Sequence, residues 1–337
     1  MSAALSDEKP KIISLFCGAG GLDLGFSQAG FEVVLAADHD SASIETHNLN
    51  SSKKVAKKID IANVSASELT SLAHEENGKT KIDGIIGGPP CQGFSQANTT
   101  RNGNDPRNDL ARKYANLIVE LARSQSLKFF VFENVAGLLE EKNAKFLASL
   151  KKVLSKEFHI SAAKLNAQNY GVPQSRERFF MVGIRNNTGT NKSFSFPPAS
   201  HTAHLTVSQT IEALPAATLF ERGLTPSDIA HHVNHWTMRP KSKRFGEELV
   251  SRGRSLVRLD WDKPSRTVAY GHREIHVHPS GMRRLTIYEA MLLQGFPKNY
   301  KIFGNLSQQV TQVSNAVPPP LAKALATAVL TAINSQE

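Results

Sequence analysis

Ile12-Ile13-Ser14-Leu15-Phe16-Cys17-Gly18-Ala19-Gly20-Gly21-Leu22 decides the fold class of this chain. A short apolar run, a turn of small residues and then Leu22 and Phe26 at helical spacing read as strand, turn and helix. The rhythm recurs downstream. Val33 to Ala37 is a second strand ending at Asp38, and Gly84 to Ile86 leads into Gly88-Pro89-Pro90-Cys91. Leu110, Leu117, Ile118 and Leu121 have helical spacing, and Phe129 to Phe132 is a strand ending at Glu133. A helix around Phe146 to Leu154 and a strand from Phe179 to Ile184 follow. Strands alternating with helices predict an α/β fold with a doubly wound, mainly parallel sheet. From Phe196-Pro197-Pro198 to about Pro279 the pattern is irregular and rich in Pro, His, Arg and Ser, which predicts a smaller inserted domain. The tail from Leu321 to Ile333 is helical with one apolar face, expected to pack back on the N-terminal sheet. The expected segments are therefore 10–195, 196–280 and 281–335.

A chain of 337 residues with 40% hydrophobic and 21% charged residues can bury a full core and has the composition of a soluble globular protein. No apolar run approaches the roughly 18 residues of a membrane span, and Met1 to Pro10 lacks the apolar centre of a signal peptide. Two cysteines, Cys17 and Cys91, are too few for a disulfide framework or a four-cysteine zinc site and fit a reducing cytoplasm. The net charge of +10 suggests a polyanionic partner. That charge is regional: between His231 and Arg284 twelve Lys or Arg face five Asp or Glu, a net of +7.

Two sets of residues point to chemistry. In the first, the turn from Phe16 through Gly18, Gly20 and Gly21 to Leu22 opens a helix, where backbone amides can approach a ligand closely. A dinucleotide fingerprint would have a third glycine at position 23, which is Asp23, and this argues against NAD. Asp38 lies 20 residues after Gly18 at a strand end, placed to accept from ribose hydroxyls. Asp60 and Ile61 could grip an adenine edge and face. Together these favour S-adenosylmethionine; either carboxylate taken singly also suits a helix cap. In the second set, the Cys91 thiol follows a rigid Pro-Pro turn and Glu133 ends an apolar strand. Both stand at predicted C-terminal strand ends, where open α/β sheets bind their ligands.

With those residues in view, the chain resembles the cytosine carbon-5 DNA methyltransferases along nearly its whole length. The blocks are Leu15 to Gly21, Gly88-Pro89-Pro90-Cys91-Gln92-Gly93-Phe94-Ser95, Glu133-Asn134-Val135 and Gln168 to Arg178. Arg284-Leu285-Thr286, Glu289-Ala290, Leu293-Gln294-Gly295-Phe296-Pro297 and Asn315-Ala316-Val317-Pro318-Pro319 complete the series. The resemblance implies a fold of the S-adenosylmethionine-dependent methyltransferase type with a variable target-recognition region between the Arg178 and Arg284 blocks. It adds Pro89 and Asn315 to the expected cofactor residues. Ser14 stands where Asp is frequent, Ser314 where Gly is common, and Tyr288 and Leu292 where Arg is frequent; none of these removes a catalytic group.

The implied reaction explains the residue types. Cytosine carbon 5 is too electron-poor to attack a sulfonium methyl unaided, and a thiolate added at carbon 6 makes it an enamine. Cys91 is the expected nucleophile and Glu133 the expected acid at nitrogen 3, its pKa raised by burial. Arg178 could hold the cytosine carbonyl and Arg176 brace the site or a phosphate, unless both are surface charges. Cys17 reads as a structural small apolar residue. The target base must leave the stack, and the polar stretch from Gln92 through Ser95 to Thr100 could close over DNA. In the insert Arg239, Lys241, Lys243, Arg244, Arg252 and Arg254 are phosphate or base candidates, with a solvated basic face as the alternative. Thr267 matches a threonine that ends the recognition region in the family. His272, His276 and His278 lack a Cys or carboxylate partner, so DNA contacts or packing are preferred over a metal.

The expected partner is duplex DNA at a short site, with no membrane and a monomeric state. A cognate restriction endonuclease could share the cell without direct contact, and the cytoplasm, on the nucleoid, is the expected location. The rivals are an RNA cytosine methyltransferase of the same superfamily and a DNA-binding module with a dead site. An amino-methyltransferase is set aside because Gly88 precedes Pro-Pro and Cys91 follows it.

Overall fold

Strand β1 (Lys11–Leu15) is apolar on both faces because it lies inside a seven-stranded sheet. The computed structural model describes residues 8–90, 107–125, 127–186, 194–200, 203–246, 256–267 and 276–335. Around β1 stand β2 (Glu32–Asp38), β3 (Ala56–Lys58), β4 (Gly84–Gly87), β5 (Phe129–Val135), β6 (Phe158–Asn166) and β8 (Glu177–Arg185). Their order is β3-β2-β1-β4-β5-β8-β6. The β3-β2-β1-β4-β5 run is parallel, and β8 runs antiparallel to β5. Strand β6 is absent from the sequence reading for a physical reason. It is an edge strand whose middle alternates between half-buried and exposed, so it carries no apolar run.

Helices α1 (Gly21–Gln28), α2 (Ser41–Leu49), α3 (Ala66–Asn77), α4 (Arg107–Gln125) and α5 (Ala144–Leu154) fill the connections. In α4 the buried set Ala111, Tyr114, Ala115, Leu117, Ile118, Leu121 and Ala122 recurs every three or four residues, so one stripe faces the sheet. Ser65 caps α3 in a reciprocal pair with Glu68.

The chain divides into two compact units. The first takes residues up to Leu165, then Arg178–Pro197, then Ala322 onward, and it contains the sheet. The C-terminal helix α9 (Pro319–Asn334) has its Leu325, Ala326, Val329 and Ile333 fully buried. Within the first unit it lies directly against α1: a Cβ added to Gly25 would stand 2.3 Å from the Ala322 Cβ. The stretch Leu306–Asn334 is long and apolar enough to cross a membrane by length and composition, but 56% of its most apolar window is buried inside the protein.

The second unit is Asn166–Glu177 with Pro198–Leu321, which runs on beyond the expected 196–280 to Leu321 and adds the earlier segment Asn166–Glu177. The Gln168 to Arg178 block, expected in the catalytic segment, is thus split between the units. Short elements build this unit. Strand β7 (Gln174–Ser175) pairs with β11 (Ser265–Arg266), and β9 (Thr218–Leu219) pairs with β10 (Trp236–Thr237), all in parallel. Helices α6 (Val207–Ile211), α7 (Ile287–Leu293) and α8 (Leu306–Asn315) complete it. Helix α7 is buried on all sides and capped by Thr286 with Glu289, whose carboxylate also takes both guanidinium nitrogens of Arg283 at 2.7 and 2.8 Å. The weak periodicity of this region reflects short elements held by caps and ion pairs rather than by long apolar stripes.

Candidate active site

The parallel strands place their carboxyl ends in a row. Leu15 is in register with Ala37 on one side and with Gly87 on the other, and Gly87 is in register with Phe132. The next residues along the four strands are Asp38, Phe16, Gly88 and Glu133. Adjacent positions in that row are about 4.8 Å apart across the sheet, so the expected cofactor end and reacting end share one edge.

At the cofactor end, the turn after β1 departs from ordinary backbone. Phe16 holds φ +58°, a left-handed conformation that is uncommon outside glycine, and its ring meets Tyr114 edge-on at 6.0 Å. Gly18 has φ +52° and nothing within 4 Å of the place a Cβ would take, so the backbone there faces open space. The Gly18 amide donates to Asp38 Oδ2 at 2.9 Å and the Asp40 amide to Oδ1 at 3.0 Å. Asp38 therefore braces the glycine turn; its Oδ1 also meets the exposed His39 Nδ1 at 3.2 Å, and Oδ2 can accept a further hydroxyl donor. Open backbone, a strand-end carboxylate and the apolar side chains of Phe16 and Leu22 are a donor set that fits the nucleoside and sulfonium ends of S-adenosylmethionine. Gly20, Gly21 and Leu22 are buried beneath the turn.

Asp60 and Ile61 follow β3. Asp60 is exposed and spends its oxygens on the Ala62 amide at 3.0 Å and Asn63 Nδ2 at 2.7 Å, which is the local capping alternative. Ile61 is 3% exposed and belongs to the main hydrophobic core, because the residues after β3 turn inward over β1 and β2.

At the reacting end, Glu133 and Arg178 form a nearly buried ion pair, Nε to Oε1 at 3.1 Å. The antiparallel register pairs Val135 with Arg178 and Glu133 with Phe180, which puts both side chains on one face. Burial lowers the Arg178 guanidinium from its ordinary range, and the Glu133 carboxylate acts against that shift. Glu133 Oε2 turns toward Gly88 and would lie 2.6 Å from a Cβ there, so a side chain at 88 would have to displace the carboxylate. Asn134 donates from Nδ2 to the Pro89 carbonyl at 3.0 Å, tying the Pro-Pro turn to β5. Pro89 is buried and Pro90 half-buried. Cys91 itself lies outside the described residues, as do Gln92, Ser95, Arg252, Arg254 and His272. Among the described residues before it, Gly88 lies against the Glu133 carboxylate. Cys17, by contrast, is buried. That burial, with the carboxylates of Asp23 and Asp38 adding, pushes its thiol well up and away from a nucleophilic role.

Arg176 was expected to brace the site or a phosphate, unless it was a surface charge. It is fully buried in the second unit, where its Nη2 donates to the carbonyls of Ser314 and Ala316. Gln294 Nε2 donates to the carbonyls of Val313 and Ala316 at 2.9 and 2.6 Å. Between them they hold the end of α8, where Asn315 is exposed. Arg239 is exposed and ion-paired to Glu221, and Lys241, Lys243 and Arg244 are exposed. Thr267 donates to the Ser175 carbonyl at 2.6 Å, fastening β11 to β7. His276 packs against the Thr267 carbonyl and His278 against Trp261.

Comparison with known proteins agrees with this arrangement. The sequence profile of the C-5 cytosine-specific DNA methylases matches residues 10–331. The chain belongs to that family. It is 33% identical to the Type II methyltransferase M.FnuDI of Fusobacterium nucleatum, over 97% of this chain and 96% of that protein. It is 34% identical to M1.HphI of Haemophilus parahaemolyticus, over 94% and 86% respectively. A DNA modification methyltransferase encoded within an E. coli prophage has a TM-score of 0.77 at 25% identity, over 97% of this chain and 100% of that one. The Dnmt2 methyltransferase of S. pombe shares the fold, with a TM-score of 0.67 at 17% identity over 97% and 100%.

This methylase is a DNA (cytosine-5-)-methyltransferase, and its strand-end row carries residues that motif reading alone left without roles. Asn134 fastens the turn before Cys91, and Gly88 makes room for the acid. Ser14, where the family frequently has Asp, gives its hydroxyl to the buried Asp23. The one signal for that in the sequence is a polar pair, Ser14 and Asp23, on an otherwise apolar strand and helix.

Proposed function

We propose that this methylase transfers a methyl group from S-adenosylmethionine to carbon 5 of a flipped-out cytosine in a short duplex DNA site, through a Cys91 adduct. The observation that carries the reading is Glu133 Oε2 set against Gly88, three residues before Cys91. When bound, the cofactor supplies an electrophilic methyl on sulfur. Phe16, Gly18, Gly20, Leu22 and Asp38 are proposed to hold it, with Asp60, Ile61, Pro89 and Asn315 as further candidates. The Cys91 thiolate adds to carbon 6, and Glu133 gives a proton to nitrogen 3, so the electron pair reaches carbon 5. Carbon 5 would take the methyl, with the carbon–sulfur bonding pair left on the cofactor sulfur as a neutral thioether; a base then removes the carbon 5 proton, the electrons returning to the ring expel Cys91 as a thiolate, and nitrogen 3 gives its proton back. Arg178 holds Glu133 in the strand-end row and could hold the cytosine carbonyl. The Type II relatives support a place in a restriction–modification system; action in the cytoplasm, on the nucleoid, is proposed with it. Exposed Lys241, Lys243 and Arg244, with Arg239, are proposed phosphate or base contacts.

The test is a trap. Duplex DNA with 5-fluorocytosine at the target leaves no carbon 5 proton to remove, so elimination stops and the adduct survives denaturation. Cys91→Ser is expected to abolish both adduct and transfer while still binding DNA. An adduct that persists in Cys91→Ser, or that maps to Cys17, means the nucleophile is wrong. Transfer to tRNA but not to duplex DNA would replace the substrate class.

A further inference from the structure

One buried polar cluster takes no part in the chemistry above. Asp23, in the first turn of α1, is almost wholly buried. Its Oδ1 accepts the Ser14 hydroxyl at 2.6 Å, and its Oδ2 meets His47 Nε2 at 2.9 Å. His47, on α2, is buried as well, and among the described residues its Nδ1 has no hydrogen-bond partner. To bond a carboxylate, Nε2 must carry the proton, so the imidazole acts as a donor to Asp23 and leaves Nδ1 bare.

Three elements therefore meet at one carboxylate: β1 through Ser14, α1 through Asp23 and α2 through His47. The two turns they enclose are the ones proposed to cradle the cofactor. The glycine turn runs between Ser14 and Asp23. The Asp38 turn links β2 to α2, where Asp40 caps the helix by accepting from the Ser43 amide at 2.9 Å. The Gly18 amide joins the two turns through Asp38 Oδ2 at 2.9 Å. A tilt of α1 or α2 would therefore shift the glycine amides and the Asp38 carboxylate together. A carboxylate taken out of water must keep its donors. If one is lost, Asp23 has to move toward another, and the helices carrying it move too.

We propose that Ser14, Asp23 and His47 form a positioning network for the cofactor turns, in which His47 sets S-adenosylmethionine affinity without touching the cofactor. This rests on the cofactor reading given above. The variants are His47→Leu, which fills the ring's volume without a donor, His47→Gln, whose amide N–H reaches about as far as Nε2, and Ser14→Ala. In calorimetric titration of the full chain with S-adenosylmethionine alone, His47→Leu is expected to raise the dissociation constant about tenfold and Ser14→Ala about threefold. His47→Gln is expected to stay within about threefold of the unaltered protein, since it keeps a donor to the carboxylate. In steady-state methylation the KM for S-adenosylmethionine follows the same order, with kcat at saturation unchanged within about twofold.

Lower thermal midpoints with an unchanged dissociation constant would reveal a merely structural cluster and overturn the proposal. So would a loss of affinity in His47→Gln equal to that in His47→Leu. If His47→Leu does not fold, Ser14→Ala decides, because it removes only a hydroxyl. An unaltered protein that takes up no S-adenosylmethionine sinks the cofactor reading and this inference together. Uptake by the unaltered protein with no change in the variants sinks this inference alone.

Discussion

Glycine at position 88 lies directly against the proposed acid. Glu133 Oε2 occupies the space of a Cβ there, at 2.6 Å, and Asn134 holds the following Pro89 carbonyl. Gly88→Ala must push the carboxylate or the turn away, and a displacement of about 1 Å in such a site costs on the order of 10²-fold in rate. We expect that loss in single-turnover methyl transfer, with the circular dichroism spectrum and DNA binding retained; full activity in Gly88→Ala would mean that Glu133 does not act from this position. Glu133→Gln keeps the shape and removes the acid, so it should bind DNA and slow the chemical step by roughly 10²–10⁴-fold, the range of general-acid help. An equal fall in DNA affinity would assign Glu133 to binding instead.

Elements decide how far this site could be read before the structure. The strands β1, β2, β4, β5 and β8 announce themselves because each is an apolar run buried on both faces. Their carboxyl ends carry Phe16, Asp38, Gly88 and Glu133, so the row of site residues was legible from the ends of those runs. Strand β6 was not, being a half-exposed edge, and neither was the inward turn of Ile61, which depends on how β3 packs. The burial of Arg176 was not legible either, because its bonds to distant carbonyls leave no local pattern. Helix α9 was legible as a helix, but its partner was not. Its contact on α1 is close: a Cβ at Gly25 would come within 2.3 Å of Ala322 Cβ and 2.6 Å of the Lys323 backbone nitrogen. Backbone cannot swing aside as a side chain can, so Gly25→Ala should destabilise the protein by about 1–3 kcal/mol through overpacking. A urea midpoint equal to that of the unaltered protein would show that α9 does not press on α1 in solution.

On the scale of the whole molecule, the two units differ in how they carry charge. The sheet unit pairs its buried polar groups, Asp23 with His47 and Glu133 with Arg178, whereas the second unit sets buried and half-buried imidazoles around α7 beside the Arg283–Glu289 pair. Burial holds His232 down to about 4, and burial together with the Arg283 cation holds His278 down to about 4. Burial also lowers His235 and His276. Glu289 is buried, which pushes its carboxyl up, but the hydrogen bonds and charge of Arg283 outweigh that and leave it below its ordinary value. All five groups bind protons more weakly in the folded unit than in the unfolded chain. The histidine contributions are therefore complete above the unfolded value near 6.5 and are lost as pH falls toward about 4, with that of Glu289 lost lower still. Both tryptophans, Trp236 and Trp261, lie in this unit, and Trp261 packs edge-on against His278 at 5.1 Å. Tryptophan fluorescence thus reports the second unit alone. Its thermal midpoint should fall steeply between pH 6.5 and 4, and the slope should flatten in a His232→Gln, His278→Gln double variant, which has fewer protons to take up on unfolding. A slope identical in that variant would place the acid sensitivity in the carboxylates and not in the buried histidines.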